Sequence, residues 1–208
     1  MATADTPTTA RQEEILDRTF ELVRESGLAN LTMKKVADRM GFTEPALYRH
    51  FPNKQALILG LLGRLESLLM PAIDAAADRE DLPPAERLER IVAHHLGLIL
   101  KSDGLPFLIL AEAAATGDEV VIGRMRSIVL RLRAAMDRVF DQMPAVPGEP
   151  PRRRMALPLI GFSIATAIQR RVLPEMSLPD EETLDLARFL VRRLLGSPQG
   201  GEEEEGGE

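Results

Sequence analysis

The sequence predicts an all-α protein, a helix-turn-helix ahead of a larger helical half, with about nine helices in all. Three observations point there. Hydrophobic residues make up 45% of the 208 and aromatics only 4%, with Leu, Ala, Glu and Arg recurring, a mixture that favours helices over sheets. Strand-like alternation of apolar and polar residues persists nowhere. The stretch Thr32–Lys54 reads TMKKVADRMGFTEPALYRHFPNK, two short amphipathic segments hinged on a glycine.

Residues 1–10 are small, polar and proline-containing, the composition of a mobile arm. Ile15, Leu16, Thr19, Phe20, Leu22 and Val23 then form the apolar stripe of a helix from Thr9 to Ser26, closed by Gly27. Thr32 is a good N-cap for a helix with Met33, Val36, Ala37 and Met40 on one face. Gly41 supplies the left-handed conformation that ends it, and Phe42 plugs the turn. Thr43 caps the next helix, with Pro45 in the permissive first turn. That helix is expected from Glu44 to about His50, stopped by Pro52. It is short enough to need bracing by its neighbours, and two such helices crossing at a tight turn make a helix-turn-helix. Asn53 caps a long fourth helix with Leu57, Ile58, Leu61, Leu62, Leu65, Leu68 and Leu69 inward, kinked or ended by Pro71.

Further helices are expected over Pro84–Lys101, Leu105–Thr116, Asp118–Gln142, Pro151–Leu173 and Pro179–Leu195, separated by proline, glycine or acidic caps. Met143–Pro151 is the clearest loop, of a length that suits a connection within a domain. Ser197–Glu208 combines glycine, proline and a glutamate block, the signature of a solvated tail, and receives no role. Cysteine is absent, which excludes disulfides and thiolate metal sites or nucleophiles. With no secretory leader at the N-terminus, the expected setting is a reducing cytoplasm. Met155–Gln169 carries no charge but falls short of the roughly 20 apolar residues of a spanning helix and contains Pro158 and Gly161, so no segment is expected to cross a membrane.

Thr32–Lys54 holds Lys34, Lys35, Arg39, Arg49 and Lys54 against Asp38 and Glu44, inside a chain of net charge −6. A segment more basic than its chain suits phosphate attraction. A recognition helix enters the major groove by its N-terminal half, which puts Thr43, Glu44 and Ala46 nearest the base edges, with Pro45 between them also a DNA-binding candidate. Glu44 fits two roles: accepting from cytosine N4, or complementing the helix dipole with no ligand at all. The Ala46 methyl suits a thymine methyl.

From Val36 to Lys54, above all in Pro45-Ala46-Leu47-Tyr48-Arg49-His50-Phe51-Pro52-Asn53-Lys54, the chain resembles the tetracycline-repressor (TetR) family of bacterial transcriptional regulators. The likeness is specific over Arg11–Leu62; beyond that it rests on length and helical pattern. It implies a DNA-binding domain over 1–55, an effector-binding and dimerisation domain over 56–196, and an acidic tail over 197–208. It also implies that Tyr48, Arg49, His50 and Lys54 grip phosphates, with Thr32 capping and touching phosphate and Lys34 and Lys35 as outer contacts. A buried core aromatic is the competing role for Tyr48.

One reading unit covers few base pairs, so a homodimer on a pseudo-palindrome of double-stranded DNA is expected. Its pieces are Met155–Gln169, with Gly161, Ser163 and Ala165 for close approach, and Leu184, Ala187, Leu190, Val191, Leu194 and Leu195 of the last helix, paired as a four-helix bundle. The alternative is that both helices belong to an intramolecular core. An apolar or amphipathic small molecule is expected among the later helices, with His94, Phe107, Glu112, Met125, Phe162 and Gln169 as candidate contacts. His94 and His95 are adjacent and point about 100° apart on a helix, so no metal site is expected, and no cofactor. Nucleophile-elbow spacing, phosphate-loop glycines and a histidine triad are all missing, so an enzyme or helical carrier is the weaker reading. A nucleoid-occlusion type cell-division regulator of the same fold is the alternative closest to the repressor.

Overall fold

A computed structural model describes residues 9–145, 147–148 and 151–195. The expected arm ahead of Thr9 and the acidic tail lie outside the described residues. Nine α-helices and no strand are present among those described.

The first helix, α1 (Ala10–Ser26), starts from a reciprocal capping box. Thr9 Oγ1 accepts from the Gln12 amide at 3.2 Å and Gln12 Oε1 accepts from the Thr9 amide at 2.9 Å, which satisfies two donors that a helix start leaves open. α2 (Met33–Met40) is capped by Thr32, whose hydroxyl accepts from the Lys35 amide, and stopped by Gly41 at φ 67°, a conformation a side chain would oppose.

The third helix, α3, covers only Glu44–Tyr48, two residues fewer than expected. The His50 amide donates to the Leu47 carbonyl at 2.9 Å, so the last turn tightens. Phe51, buried at 5% exposure, also precedes Pro52, which disfavours helical backbone at that residue. Thr43 occupies the N-cap position but its hydroxyl makes no capping bond. Of the two amides such a hydroxyl reaches, Pro45 has none, and that of Ala46 donates to the Thr43 carbonyl at 3.0 Å.

Asn53 Oδ1 accepts from the Ala56 amide at 2.7 Å and opens α4 (Lys54–Ala77). This helix passes through Pro71 without ending. Pro71 and Ser67, whose carbonyl loses its helical donor there, are both exposed, so that carbonyl faces solvent rather than the core. The buried Met70, Ile73 and Ala77 meanwhile hold the far turns to the core. Leu68, expected inward, is 53% exposed, because it lies on the side of α4 that carries the exposed Pro71 three residues on. A further correction concerns membranes: α4, at 24 residues and mean hydropathy 1.7, is long and apolar enough to span one by length and composition. Here 44% of that apolar stretch is buried, against α1 and the helices of the second half.

Those helices are α5 (Pro84–Lys101), α6 (Leu105–Thr116), α7 (Glu119–Phe140), α8 (Ala156–Val172) and α9 (Asp180–Leu195). α5 lies at their centre against α4, α7, α8 and α9, and α6 packs on α7, on α4 and on the 3-10 turn Leu28–Asn30 that follows α1. α8 starts later than expected because Arg152–Met155 form a 3-10 turn first. Arg87, 2% exposed, donates to Gln142 Oε1 at 2.6 Å and to the Ala77 carbonyl, which ties the ends of α4 and α7 to the start of α5.

The two halves meet where α4 crosses α1. A Cβ at Gly60 would stand 2.9 Å from the Phe51 ring and 3.1 Å from Leu16 Cδ2. Overpacking of this kind costs about 1–3 kcal/mol. Gly60→Val is therefore expected to lower the unfolding free energy by about 2 kcal/mol, measured by urea denaturation, with no change in the residues exposed on α3.

Candidate functional site

α2 and α3 are held by an apolar wedge and a ring of ion pairs. Val36, Ala37, Leu47 and Phe51 meet Ile15 and Leu16 in the core. Arg39 on α2 donates to the Glu25 carboxylate on α1, and this hydrogen bond holds the Glu25 carboxyl below its usual range. The Arg11 guanidinium lies 4.4 Å from the Phe42 ring centroid, close enough for a cation–π contact. Arg64 on α4 bonds Glu13 at 2.9 Å and Asp17 at 2.7 Å. Such exposed pairs are individually weak; their use here is to fix the angle between helices.

What remains on the outer face is polar. Thr32, Lys34, Lys35, Thr43, Pro45, Tyr48 and Arg49 are exposed, and Glu44, Ala46, His50 and Lys54 are half-buried. Tyr48 is 42% exposed, so the core role for its ring is excluded; Leu47 and Phe51 fill that place. Among the described residues no hydrogen bond or ion pair engages the side chains of Lys34, Tyr48, Arg49 or His50. The Lys35 ammonium donates to the Asn30 carbonyl at 3.0 Å. The His50 carbonyl accepts from Gln12 Nε2 at 3.3 Å, tying α3 to α1.

Lys54 departs from the expected free cation. Its Nζ donates to Glu112 Oε1 on α6 at 2.8 Å, and beside it Gln55 Nε2 donates to Asp118 Oδ1 at 3.0 Å. The start of α4 is thus fastened to α6 and to the cap of α7. Glu112, expected as a ligand anchor inside the second half, is instead that fastening.

The second half encloses a narrow cavity of about 80 Å3 whose wall is almost wholly apolar. It is lined by Leu62, Leu65, Glu66 and Leu69 of α4, His95, Leu98 and Ile99 of α5, Pro106, Phe107 and Leu110 of α6, Met125, Ile128, Val129 and Leu132 of α7, and Ile160 and Ile164 of α8. Phe107 and Met125 are therefore on the wall as expected candidates, whereas the other four are not. His94 points the other way, its Nε2 3.1 Å from the Leu68 carbonyl; its neighbour His95 lies in phase with Leu98 and Ile99 and takes the inward place. Phe162 falls on a different face of α8 from Ile160 and Ile164. Gln169 is exposed and donates to the Met176 carbonyl at 3.5 Å.

Glu66, missed in the sequence although it interrupts a run of leucines, is 4% exposed on its side chain and receives Arg124 and Arg131 of α7, each at 2.5 Å. A more open groove of about 380 Å3 beside α1 is polar. Two of its arginines are already paired, Arg24 with Asp103 and Arg170 with Asp180, both at 2.6 Å. No cluster of potential metal ligands occurs among the described residues.

On α8 and α9 the core-facing stripe is Ala156, Leu159, Ile160, Ala187, Val191 and Leu195. Leu157, Ile168, Val172, Leu186, Phe189 and Leu194 point outward, between 38% and 68% exposed. A Cβ at Gly161 would meet nothing within 4 Å. Of the residues expected between subunits, Ser163, Ala187, Val191 and Leu195 are therefore part of the intramolecular core, because their faces of α8 and α9 pack on the chain's own helices, whereas Leu194 points outward.

Residues 15–61 match the model of the family described as bacterial regulatory proteins, tetR family. Among curated proteins, the nucleoid occlusion factor SlmA of Marinomonas sp. (strain MWYL1) is 29% identical over 153 residues, covering 74% of each chain. That of Cronobacter sakazakii is 29% identical over 150 residues, covering 72% of this chain and 75% of its own. Among solved structures, the ketosteroid transcriptional regulator KstR2 of Mycobacterium tuberculosis superposes with a TM-score of 0.71 at 16% identity, covering 92% of this chain and 98% of its own. The fatty acid degradation regulator FadR from Bacillus halodurans does so with a TM-score of 0.72 at 13% identity, covering 93% and 99%. At such identities the likeness concerns the fold, an N-terminal helix-turn-helix continued by a helical second half. With the family model lying over the exposed α2–α3 unit, residues 15–61 are a helix-turn-helix of the kind found in the tetR family of bacterial regulatory proteins, the DNA-binding part of such regulators.

Proposed function

We propose that the protein is a homodimeric transcriptional repressor that binds a pseudo-palindromic operator and leaves it when a small molecule fills the cavity of the second half. The observation that carries this reading is the outer face of α2 and α3, where Lys34, Tyr48 and Arg49 stand exposed without a partner among the described residues. Phosphate contacts from Thr32, Lys34, Lys35, Tyr48, Arg49, His50 and Lys54 set the register, and Thr43, Glu44, Pro45 and Ala46 meet base edges. The outward apolar side chains of α8 and α9 form the dimer interface, since a patch of this kind on a monomer marks an association surface.

Release follows from which helices share residues with both ends. α6 lends Phe107 and Leu110 to the cavity and Glu112 to Lys54. A ligand that displaces α6 therefore moves the fastening at the start of α4. By linkage, DNA lowers ligand affinity by the same factor.

The test is salt dependence. Each phosphate contact contributes about 0.9 to the slope of log affinity against log salt. With Tyr48→Ala and Lys54→Ala combined, the dimer is expected to lose about two units of slope, from its two lysines. Operator and random duplex weaken alike. A slope unchanged in that variant would remove these residues from the interface.

A second reading, nucleoid occlusion, is favoured by the reach of the similarity to SlmA, which extends well past the family model. It separates from repression by phenotype: overproduction stalls cell division and leaves transcript levels unchanged.

A further inference from the structure

The wall of the cavity is apolar except at two side chains, and these differ in how well they are satisfied. Glu66 is held by two guanidinium groups. His95 is held by no such group: the residue is 8% exposed and lines the cavity, and among the described residues no hydrogen bond or ion pair reaches its ring. Burial pushes this imidazole down to about 4, with a smaller contribution from His94. At neutral pH the ring is uncharged and offers one donor and one acceptor. The ring nitrogens make no bond to the protein and border the cavity rather than being sealed in the core, so a ligand in this cavity can supply their partner.

We infer that the ligand of this cavity is a neutral, mostly apolar molecule with a single oxygen, as ketone, ester or hydroxyl, which hydrogen-bonds to His95. The inference rests on the proposed role of the cavity as an effector site and adds the chemical class of the effector and the residue that selects it. Charge is excluded from both directions. A carboxylate would lose its hydration against an apolar wall on which the neutral His95 ring can donate only one hydrogen bond, an unfavourable burial of charge. An ammonium would meet a Glu66 already neutralised by Arg124 and Arg131. Size points the same way as release: a cavity of roughly 150 Å3 holds benzene, so about 80 Å3 seats only a few carbons, and a longer chain requires α6 to yield.

The experiment uses five six-carbon probes on the full-length protein: 2-hexanone, 1-hexanol, hexane, hexanoate and hexylamine, with affinities from ligand-detected NMR titration. 2-Hexanone and 1-hexanol are expected to bind about 3–10-fold more tightly than hexane, the worth of one net hydrogen bond. Hexanoate and hexylamine are expected to bind at least about 100-fold more weakly than the ketone. In His95→Leu the advantage of the oxygen disappears and hexane binds as well as 2-hexanone; His95→Gln, which keeps a donor and an acceptor, restores part of it. Tightest binding by hexanoate or hexylamine, an unchanged ketone-to-hexane ratio in His95→Leu, or no binding by any probe overturns the inference. Selective binding of 2-hexanone with DNA affinity unmoved at saturation keeps the His95 assignment and overturns the effector role.

Discussion

Replacing Leu186 and Phe189 together by Glu is expected to yield a folded monomer at micromolar concentration whose affinity for a two-site operator is lower by a factor of about 100 or more. Both side chains are exposed, at 42% and 62%, while the residues that hold α9 to the core, Ala187, Val191 and Leu195, lie on its opposite face. The substitutions therefore spare the interior and act only on the outward apolar face of α8 and α9. In a symmetric pair each residue returns on the partner, so a new carboxylate on one subunit faces its own copy or apolar surface. Loss of the pair removes the second reading unit, whose binding is intramolecular once the first is seated. Sedimentation velocity reads the assembly and an operator titration reads the affinity. A variant that remains dimeric would mean that the outward face of α8 and α9 serves something else.

The second large effect is on stability in mild acid. The His95 ring titrates at about 4 in the folded chain against 6.5 as its ordinary value. Above pH 6.5 the ring is neutral in both states and its contribution is whole. As pH falls from 6.5 towards 4, only the unfolded chain gains the proton, so stability drains away in that window and levels off below it. The loss reaches about 2.5 kcal/mol by pH 4.5. Carboxyls held low by their partners, such as Glu25, Asp81 and Asp118, lose their contribution at lower pH, which leaves the window to histidine. Urea unfolding at pH 7 and pH 4.5, at fixed protein concentration, is expected to show this drop in the parent chain and a much smaller one in His95→Leu. An equal drop in both would mean that the ring is hydrated or paired.

The helix-turn-helix was legible because its signals are local. Thr32, Gly41, Asn53 and the apolar spacing of α1 act within one turn of the chain and appear in the structure where the sequence predicts them. The misplacements have a different origin. α3 ends early because Phe51 turns into a core built by α1 and α4, and Pro71 is passed because its side of α4 faces water; neither neighbour is visible from the local pattern. Among the cavity residues, the choice of His94 over His95 failed on helix phase, since two adjacent residues differ by about 100° and only the packing of α5 between four helices decides which points inward. The contact of Lys54 with Glu112 joins positions 58 apart, and nothing near either residue signals it.

The unbroken course of α4 through Pro71 turns that helix into a lever. Leu69 on the cavity wall and Lys54 beside the recognition helix are 15 residues apart on one rigid rod, about 22 Å at 1.5 Å per residue. A tilt of about 10° at the cavity end sweeps the other end through about 4 Å. In the proposed homodimer, the mirrored arc would change the separation of the two recognition helices by about 8 Å, roughly a quarter of the 34 Å turn they would span. A proline that stopped the helix at residue 71 would have shortened the rod on the far side of the pivot; with the far turns held in the core by Met70, Ile73 and Ala77, the proposed repressor would deliver such a swing to the recognition helix.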